Sequence, residues 1–345
     1  MIAGYLASGR DRIRAIVERL RVPSLAQLQG RLAIAAGARP MIASAVALAM
    51  TGLATWSLYR QFGSTSLDAV RRALLSQNPS HLLVTGLLTA VSFACLASYD
   101  LFAVRIVAPM RVPTWIALVA GSVSTSISNT LGFHALTGTV ARLRIYRICG
   151  LATPEVIQIM SLSWIAMGLG FLAMLGMSLL LQSVRSHEAG MPLATGIAIM
   201  ALLVAFISWL SRGQRRIAVP GFTQQLPTSR LASIQMGIGS IESAAAIGAL
   251  YVLLPPDLAP SFGVFAVGCI TAVALGVISH APGGIGVFEA GITAMLAGQG
   301  RADLLAALLS YRLVYNLAPF LISVACLASL TRISGARASS KQDSA

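Results

Sequence analysis

The ionisable side chains that could do chemistry in this chain are few, and they stand in apolar surroundings: Asp100, Glu242, Glu289 and Arg312. A charge near the middle of a membrane-spanning helix costs on the order of 3 kcal/mol by insertion scales, so such a group is expected to face a cavity or a partner. Glu242 lies near the centre of the apolar run 230–253, and Arg312, in the run 303–330, is its candidate partner. With Glu289 and Asp100 it makes a set of carboxylates suited to receiving a cationic headgroup or to coupling transport to protons. The competing reading of Glu242 is a buried ion pair that fixes helix register.

Glu289 follows the stretch Ser279–Phe288, S-H-A-P-G-G-I-G-V-F, which interrupts an otherwise apolar region. Pro282, Gly283, Gly284 and Gly286 cannot together sustain an ordinary helix, because proline lacks an N–H and clashes one turn back while glycine carries the largest entropic cost. Within a bilayer, broken backbone is tolerated only where protein or a water-filled cavity satisfies it. A broken helix beside a carboxylate is an arrangement from which membrane transporters build substrate sites. The alternative is a plain loop capped by glycines at the membrane surface.

The elements that must hold these residues are set by composition. Of 345 residues, 56% are hydrophobic and only 10% charged, and the apolar residues come in runs of membrane-spanning length, which excludes an ordinary soluble domain. The net charge of +14 comes almost wholly from arginines placed between those runs, Lys341 being the only lysine. That distribution belongs to topology signals and headgroup anchors, so nucleic-acid binding is not expected. Cys95, Cys149, Cys269 and Cys326 are scattered without C-x-x-C spacing and read as small apolar residues.

The fold class expected is an all-α polytopic membrane protein with seven or eight transmembrane helices. Residues 1–40 form a basic, amphipathic, interfacial N-terminus: Ile13, Ile16, Val17 and Leu20 share a helical face beside Arg12, Arg14 and Arg19. No apolar run near the start suggests a cleaved secretory signal. Spans are expected at about 41–59, 80–103, 154–183, 192–211, 230–253, 262–279 and 303–330, and a polar tail at 331–345. Between the first two spans, Leu67, Val70, Leu74 and Leu75 suggest an amphipathic surface helix. With the N-terminus in the cytoplasm, the inner connections carry 16 arginines and the outer ones 4.

That count has a structural consequence. Segments 104–112 and 134–153 both favour the inside, yet the apolar segment 113–133 lies between them and is too short for two crossings. It is expected to turn back as a re-entrant hairpin, with Ser122, Ser124, Thr125, Ser126, Ser128 and Asn129 facing a cavity. Residues 284–299 make either a second re-entrant element or a short crossing. Two broken elements in the two halves suggest an internal inverted repeat, with 129–138 and 279–291 in corresponding positions.

Three ordered motifs carry a resemblance. They are Asn129-Thr130-Leu131-Gly132 with Leu136-Thr137-Gly138, Arg142-Leu143-Arg144-Ile145-Tyr146 and Gly150; then Pro282-Gly283-Gly284-Ile285-Gly286-Val287-Phe288-Glu289; then Tyr311-Arg312-Leu313-Val314-Tyr315 with Pro319. Over roughly residues 40–330 the chain resembles the transmembrane region of lysylphosphatidylglycerol synthase/flippase proteins, the membrane domain of multiple peptide resistance factor among them. The resemblance implies a bacterial inner-membrane protein that moves or binds phospholipid, with Asn129, Gly132, Tyr146 and Tyr311 in its substrate region. Two-domain members translocate aminoacylated phosphatidylglycerol made by a cytosolic domain. The soluble ends read here, 40 and about 15 residues, fall far short of a catalytic domain of roughly 100, so aminoacylation by this chain is not expected.

Arg142, Arg144 and Arg147 stand where the re-entrant element should meet the cytoplasmic surface, and guanidinium groups bind phosphate in a forked geometry; ordinary positive-inside anchoring is the other reading. His134 and His280 neighbour the broken elements and are secondary candidates for proton relay, interfacial placement being the more common role. Trp56, Trp115, Trp164 and Trp209 read as belt residues. No nucleophile–base pair, phosphate loop or dinucleotide fingerprint occurs, so no enzymatic activity, cofactor or metal is expected. The leading function is lipid transport. The alternatives are a non-transporting membrane partner of a separate lipid- or glycan-modifying enzyme, and an intramembrane transferase. A homo-oligomer is left open.

Overall fold

The computed structural model describes residues 66–132, 134–186, 190–213, 215–219, 222–279 and 282–329. The expected interfacial N-terminus, the first span at 41–59 with Trp56, the polar tail and His280 lie outside them.

The first described helix, α1 (Leu67–Leu75), starts where the Ser66 hydroxyl accepts from the Ala69 N–H at 3.2 Å, satisfying one of the amides a helix start leaves open. Val70 is buried and Leu74 partly buried, but Leu75, which the sequence reading put on the same apolar stripe, is exposed. Proline at N1 and the Asn78 cap launch α2 (Pro79–Val107), which runs longer than the span read from the sequence. Then follow α3 (Thr114–Leu131), α4 (His134–Arg147), α5 (Thr153–Ser186), α6 (Met191–Ser211), α7 (Ser229–Tyr251) and α8 (Phe262–Ile278). A one-turn 3-10 segment, Pro282–Gly284, leads to α9 (Val287–Met295), and α10 (Ala302–Ser329) ends the described chain.

Among these ten helices, α2, α5, α6 and α10 are long and apolar enough to span a membrane. This is fewer than the seven spans read from the sequence, for identifiable reasons. The run 41–59 is not described, α8 has only 17 residues, and α7 is long but carries Gln235, Glu242 and several serines. It can be that polar because α2 and α5 pack along it and bury Gln235, Glu242 and Ser243.

The segment 113–133 is a correction. It does not turn back on itself: α3 is one unbroken helix, and the return leg is α4, in the stretch read as a cytoplasmic connection. Gly132, at φ 74°, ends α3 by donating its N–H to Ser128 O at 2.9 Å. The two helices pack antiparallel, with Thr137 Oγ1 donating to Gly132 O at 2.9 Å and Gly138 closing on Ser128. The hairpin therefore extends to Arg147, well past the end of the segment the sequence reading gave it. Ser124, Ser126 and Ser128 are buried within it, and Ser128 spends its hydroxyl on Ser124 O.

A second hairpin pairs α8 with α9, again antiparallel: Gly276 faces Gly284, Ala272 faces Gly291, and Gly268 faces Met295. With nine residues, α9 is roughly 14 Å long against a hydrocarbon core of about 30 Å.

The all-α expectation misses one feature, a hairpin of β1 (Arg216–Val219) and β2 (Phe222–Gln225) in antiparallel register, Arg216 opposite Gln225. Apolar and β-branched residues flanking Pro220-Gly221 favour it. It belongs to a compact unit separate from the helical body.

At the start of α10, Arg301 forks onto Asp257, with 2.7 and 3.1 Å contacts, and onto Asp303 at 2.6 Å. Hydrogen bonding from Arg301 holds the Asp257 carboxyl below the usual carboxylate range. A depressed carboxyl adds stability above its unfolded value and loses it as pH falls through the folded one. Thermal unfolding followed against pH should therefore show wild type and Arg301→Ala differing slightly at neutral pH and converging in acid.

Candidate functional site

The three buried carboxylates among the described residues have three different environments. Asp100, on α2, has no exposure and four donors: Arg142 Nε at 2.9 Å, Arg142 Nη2 at 2.8 Å, Tyr146 Oη at 3.0 Å and Ser163 Oγ at 2.8 Å. The guanidinium meets both carboxylate oxygens, a geometry lysine cannot copy. The cluster ties α4 to α2 and α5. Arg142 therefore does not stand at the cytoplasmic surface, as the sequence reading expected, but is the buried half of an ion pair with Asp100, and Tyr146 is its companion donor. The reason is helical phase: on α4, Arg142 and Tyr146 lie one turn apart on the packed face, while Arg144 and Arg147 fall on the exposed one.

Glu289 stands at the broken helix. Gly283, Gly284 and Gly286 take φ of 58°, 65° and 86°, left-handed values that side chains disfavour. This turn reverses the chain after α8 and delivers Glu289 to the third position of α9, where Oε2 accepts the Gly286 N–H at 2.7 Å. Its other oxygen, Oε1, accepts from Arg312 Nε at 2.6 Å, and Arg312 Nη1 donates to Gly283 O at 2.6 Å. The guanidinium also lies 5.2 Å from the centre of the Phe288 ring. Arg312 Nη2 is buried and has no partner among the described residues. Arg312 thus serves Glu289, not Glu242 as the sequence reading proposed.

Glu242, on α7, is held by hydroxyls alone. Ser92 Oγ donates to Oε1 at 3.1 Å and Ser243 Oγ to Oε2 at 3.3 Å, and Ser92 is itself 2.8 Å from Tyr315 Oη. It forms no ion pair among the described residues, so the buried pair weighed for Glu242 is not found there; Asp100 and Glu289 carry the paired arginines.

An aromatic column joins the second and third environments. Phe288 stacks on Tyr311 at 6.1 Å, Tyr311 on Tyr315 at 5.0 Å, and Tyr315 meets Phe93 at 5.7 Å. Tyr311, Arg312 and Tyr315 lie at the start of or within the π-helical segment Arg312–Leu317 of α10, a wider turn often found at functional sites.

The two hairpin tips meet. A Cβ at Gly283 would fall 2.9 Å from Thr130 O and 3.3 Å from Asn129 O, and Thr130 Oγ1 donates to Asn316 O at 3.4 Å. Asn129 and Gly132 on one side, and Pro282, Gly283, Gly284, Gly286 and Glu289 on the other, are brought to one junction with Arg312. Arg144 is not; nor is Asp100, which belongs to its own cluster. His134 opens α4. Of the tryptophans, Trp115 is exposed at the start of α3 and Trp209 near the end of α6 faces Arg215 at 5.0 Å, while Trp164 lies well inside α5. The sequence reading missed Ser92, Ser163 and Ser243, since a serine inside an apolar helix usually bonds its own backbone and nothing marks the exceptions.

No protein-family model matches the chain. It is 28% identical over 246 residues to the uncharacterized protein slr0712 of Synechocystis, covering 67% of this chain and 74% of that one. It is also 28% identical over 267 residues to the inner membrane protein YbhN of Escherichia coli, covering 75% and 83%. With its long apolar helices, this similarity identifies the chain as a multi-pass inner-membrane protein.

Proposed function

We propose that the protein is a lipid transporter whose headgroup site is the junction of the two hairpin tips. The observation that carries this reading is the Glu289–Arg312 pair set against the broken turn, with one guanidinium nitrogen unpartnered among the described residues. Backbone broken at membrane depth persists only where it lines protein or a water-filled path. A charge pair placed there offers a donor to a phosphate and an acceptor to an ammonium. The resemblance of the tip motifs to the lysylphosphatidylglycerol flippase region supports a phospholipid, aminoacylated phosphatidylglycerol being the first candidate. In this reading α3–α4 and α8–α9 are the re-entrant elements of an inverted repeat. The N-terminus is cytoplasmic, as the arginine asymmetry favours, and exposed Arg144 and Arg147 gather anionic headgroups at the inner surface.

The test is leaflet exchange in proteoliposomes carrying labelled phosphatidylglycerol and lysylphosphatidylglycerol. Wild type should exchange lipid above protein-free vesicles. Glu289→Gln and Arg312→Ala, folded by size exclusion and thermal unfolding, should slow exchange by about tenfold to a hundredfold, as loss of a charge-assisted hydrogen bond predicts. Absence of exchange for every lipid tried would favour a non-transporting partner of a separate lipid-modifying enzyme.

A further inference from the structure

Among the described residues, of the three buried carboxylates Asp100 and Glu289 each have an arginine, and Glu242 has none. Its surroundings can be surveyed helix by helix. From α2 come Ser92, Cys95 and Tyr99; from α10, Tyr311 and Tyr315. The ionisable residues of α5 are Glu155 and Arg185, near its two ends; α6 has none, and α8 offers only Cys269. Among the described residues, every group that faces Glu242 is therefore uncharged in its ordinary state, and the Tyr99 hydroxyl is buried without a partner there. A carboxylate so placed in a membrane protein must either bind a positive charge or carry a large desolvation cost.

The hydroxyl chain shows which positive charge fits. The hydrogen bond between Ser92 and Tyr315 can run in either direction. With Glu242 ionised, Tyr315 donates to Ser92 and Ser92 donates to Oε1. With Glu242 protonated, the acid donates to Ser92 and Ser92 donates to Tyr315. Both states keep the Glu242–Ser92 and Ser92–Tyr315 hydrogen bonds at the same heavy-atom positions, because a hydroxyl is at once donor and acceptor. A lipid ammonium would instead need room and several acceptors at a residue whose exposure is only 9%.

We propose that Glu242 is a proton-binding site, read out through Ser92 and Tyr315 by the π-helical segment that carries Arg312. Tyr315 and Arg312 share that short segment, and Tyr311, stacked on Tyr315, precedes it. Reversing the hydroxyl chain changes what Tyr315 donates to, and so biases the segment that places Arg312 against Glu289 and Gly283. The coupling, though not the proton site, rests on the transport reading above.

Two experiments test it. The first is infrared difference spectroscopy of the purified protein in nanodiscs across a pH series. A carboxylic-acid C=O band should fade as pH rises in the wild type and in Glu289→Gln, and should be missing at every pH in Glu242→Gln. Glu242→Asp, which keeps a carboxyl should the glutamine variant fold poorly, should retain the band with a displaced midpoint. Spectra of the wild type and a folded Glu242→Gln that superimpose at all pH values overturn the proposal. So does titration that appears only with sodium and vanishes in choline, which would assign the carboxylate to a metal cation. The second experiment is leaflet exchange against pH, expected to vary in wild type and to be flat in Glu242→Gln. A titrating band with no lipid movement by wild type leaves the proton site standing and removes the transport reading; movement without a titrating band does the reverse.

Discussion

Arg142→Ala is expected to lower stability by about 3–5 kcal/mol, the range for removing one member of a buried ion pair. The loss should exceed the worth of the pair itself, because Asp100, with no exposure of its own, would keep a charge with only Tyr146 and Ser163 to answer it. Asp100→Ala should cost a similar amount by stranding the guanidinium. Arg142→Lys should not rescue, since an ammonium cannot meet both carboxylate oxygens in a fork while Gly138 closes over the site. The double variant Asp100→Asn with Arg142→Met should recover much of the loss, as neutral replacement of buried pairs commonly does. Thermal and denaturant unfolding in detergent measure all four. If Arg142→Ala unfolds like wild type and only lipid handling changes, the cluster is part of the headgroup site instead.

The second large effect concerns the crossing of α5 and α7. There the two backbones approach so closely that a Cβ on Gly170 would fall 2.3 Å from Gly239 Cα, and one on Gly239 would fall 2.6 Å from Gly170 Cα. Small residues at helix crossings let membrane helices exchange dispersion contacts along their whole length. A methyl group at either position must push main chain, not a flexible side chain. Gly170→Ala and Gly239→Ala should each destabilise by at least the roughly 1–3 kcal/mol of an overpacked core, and Gly239→Leu should prevent folding. Gly168→Ala and Gly237→Ala are the controls, with nothing within 4 Å of the added atom. They should be neutral or stabilising by up to about 1 kcal/mol, the helix propensity gained. Equal effects at all four positions would remove the crossing as the cause. Because Gly239 also lies against the Tyr99 hydroxyl, separation of these helices should reach the surroundings of Glu242 as well.

Much of this was legible in the chain. Apolar runs of membrane length gave α5, α6, α7, α8 and α10 to within a few residues, because the hydrophobic period and the length of a span are local properties. The broken turn was also legible, since proline and three glycines leave the backbone few choices, and the structure places Glu289 at the start of the short helix that follows. That Asp100, Glu242, Glu289 and Arg312 need partners followed from charge in an apolar setting alone. Which partner each takes did not follow. Arg312 joins Glu289 and leaves Glu242 to hydroxyls, and Arg142 turns inward to Asp100, because pairing depends on the phase of one helix against another and on where a hairpin reverses. The 113–133 segment shows the same limit: its composition announced a polar, enclosed element, but the position of the turn, at Gly132 near its end and not at its middle, was settled by packing against α4. The sequence by itself determined a multi-helix membrane protein with charged groups to satisfy and a break at Pro282–Gly284. Only the tertiary structure decided that two hairpin tips meet there and that, among the described residues, one buried carboxylate is left without a cation. A pairing between helices distant in the chain is fixed by their relative rotation and depth, and those leave no trace in the spacing of residues along one chain.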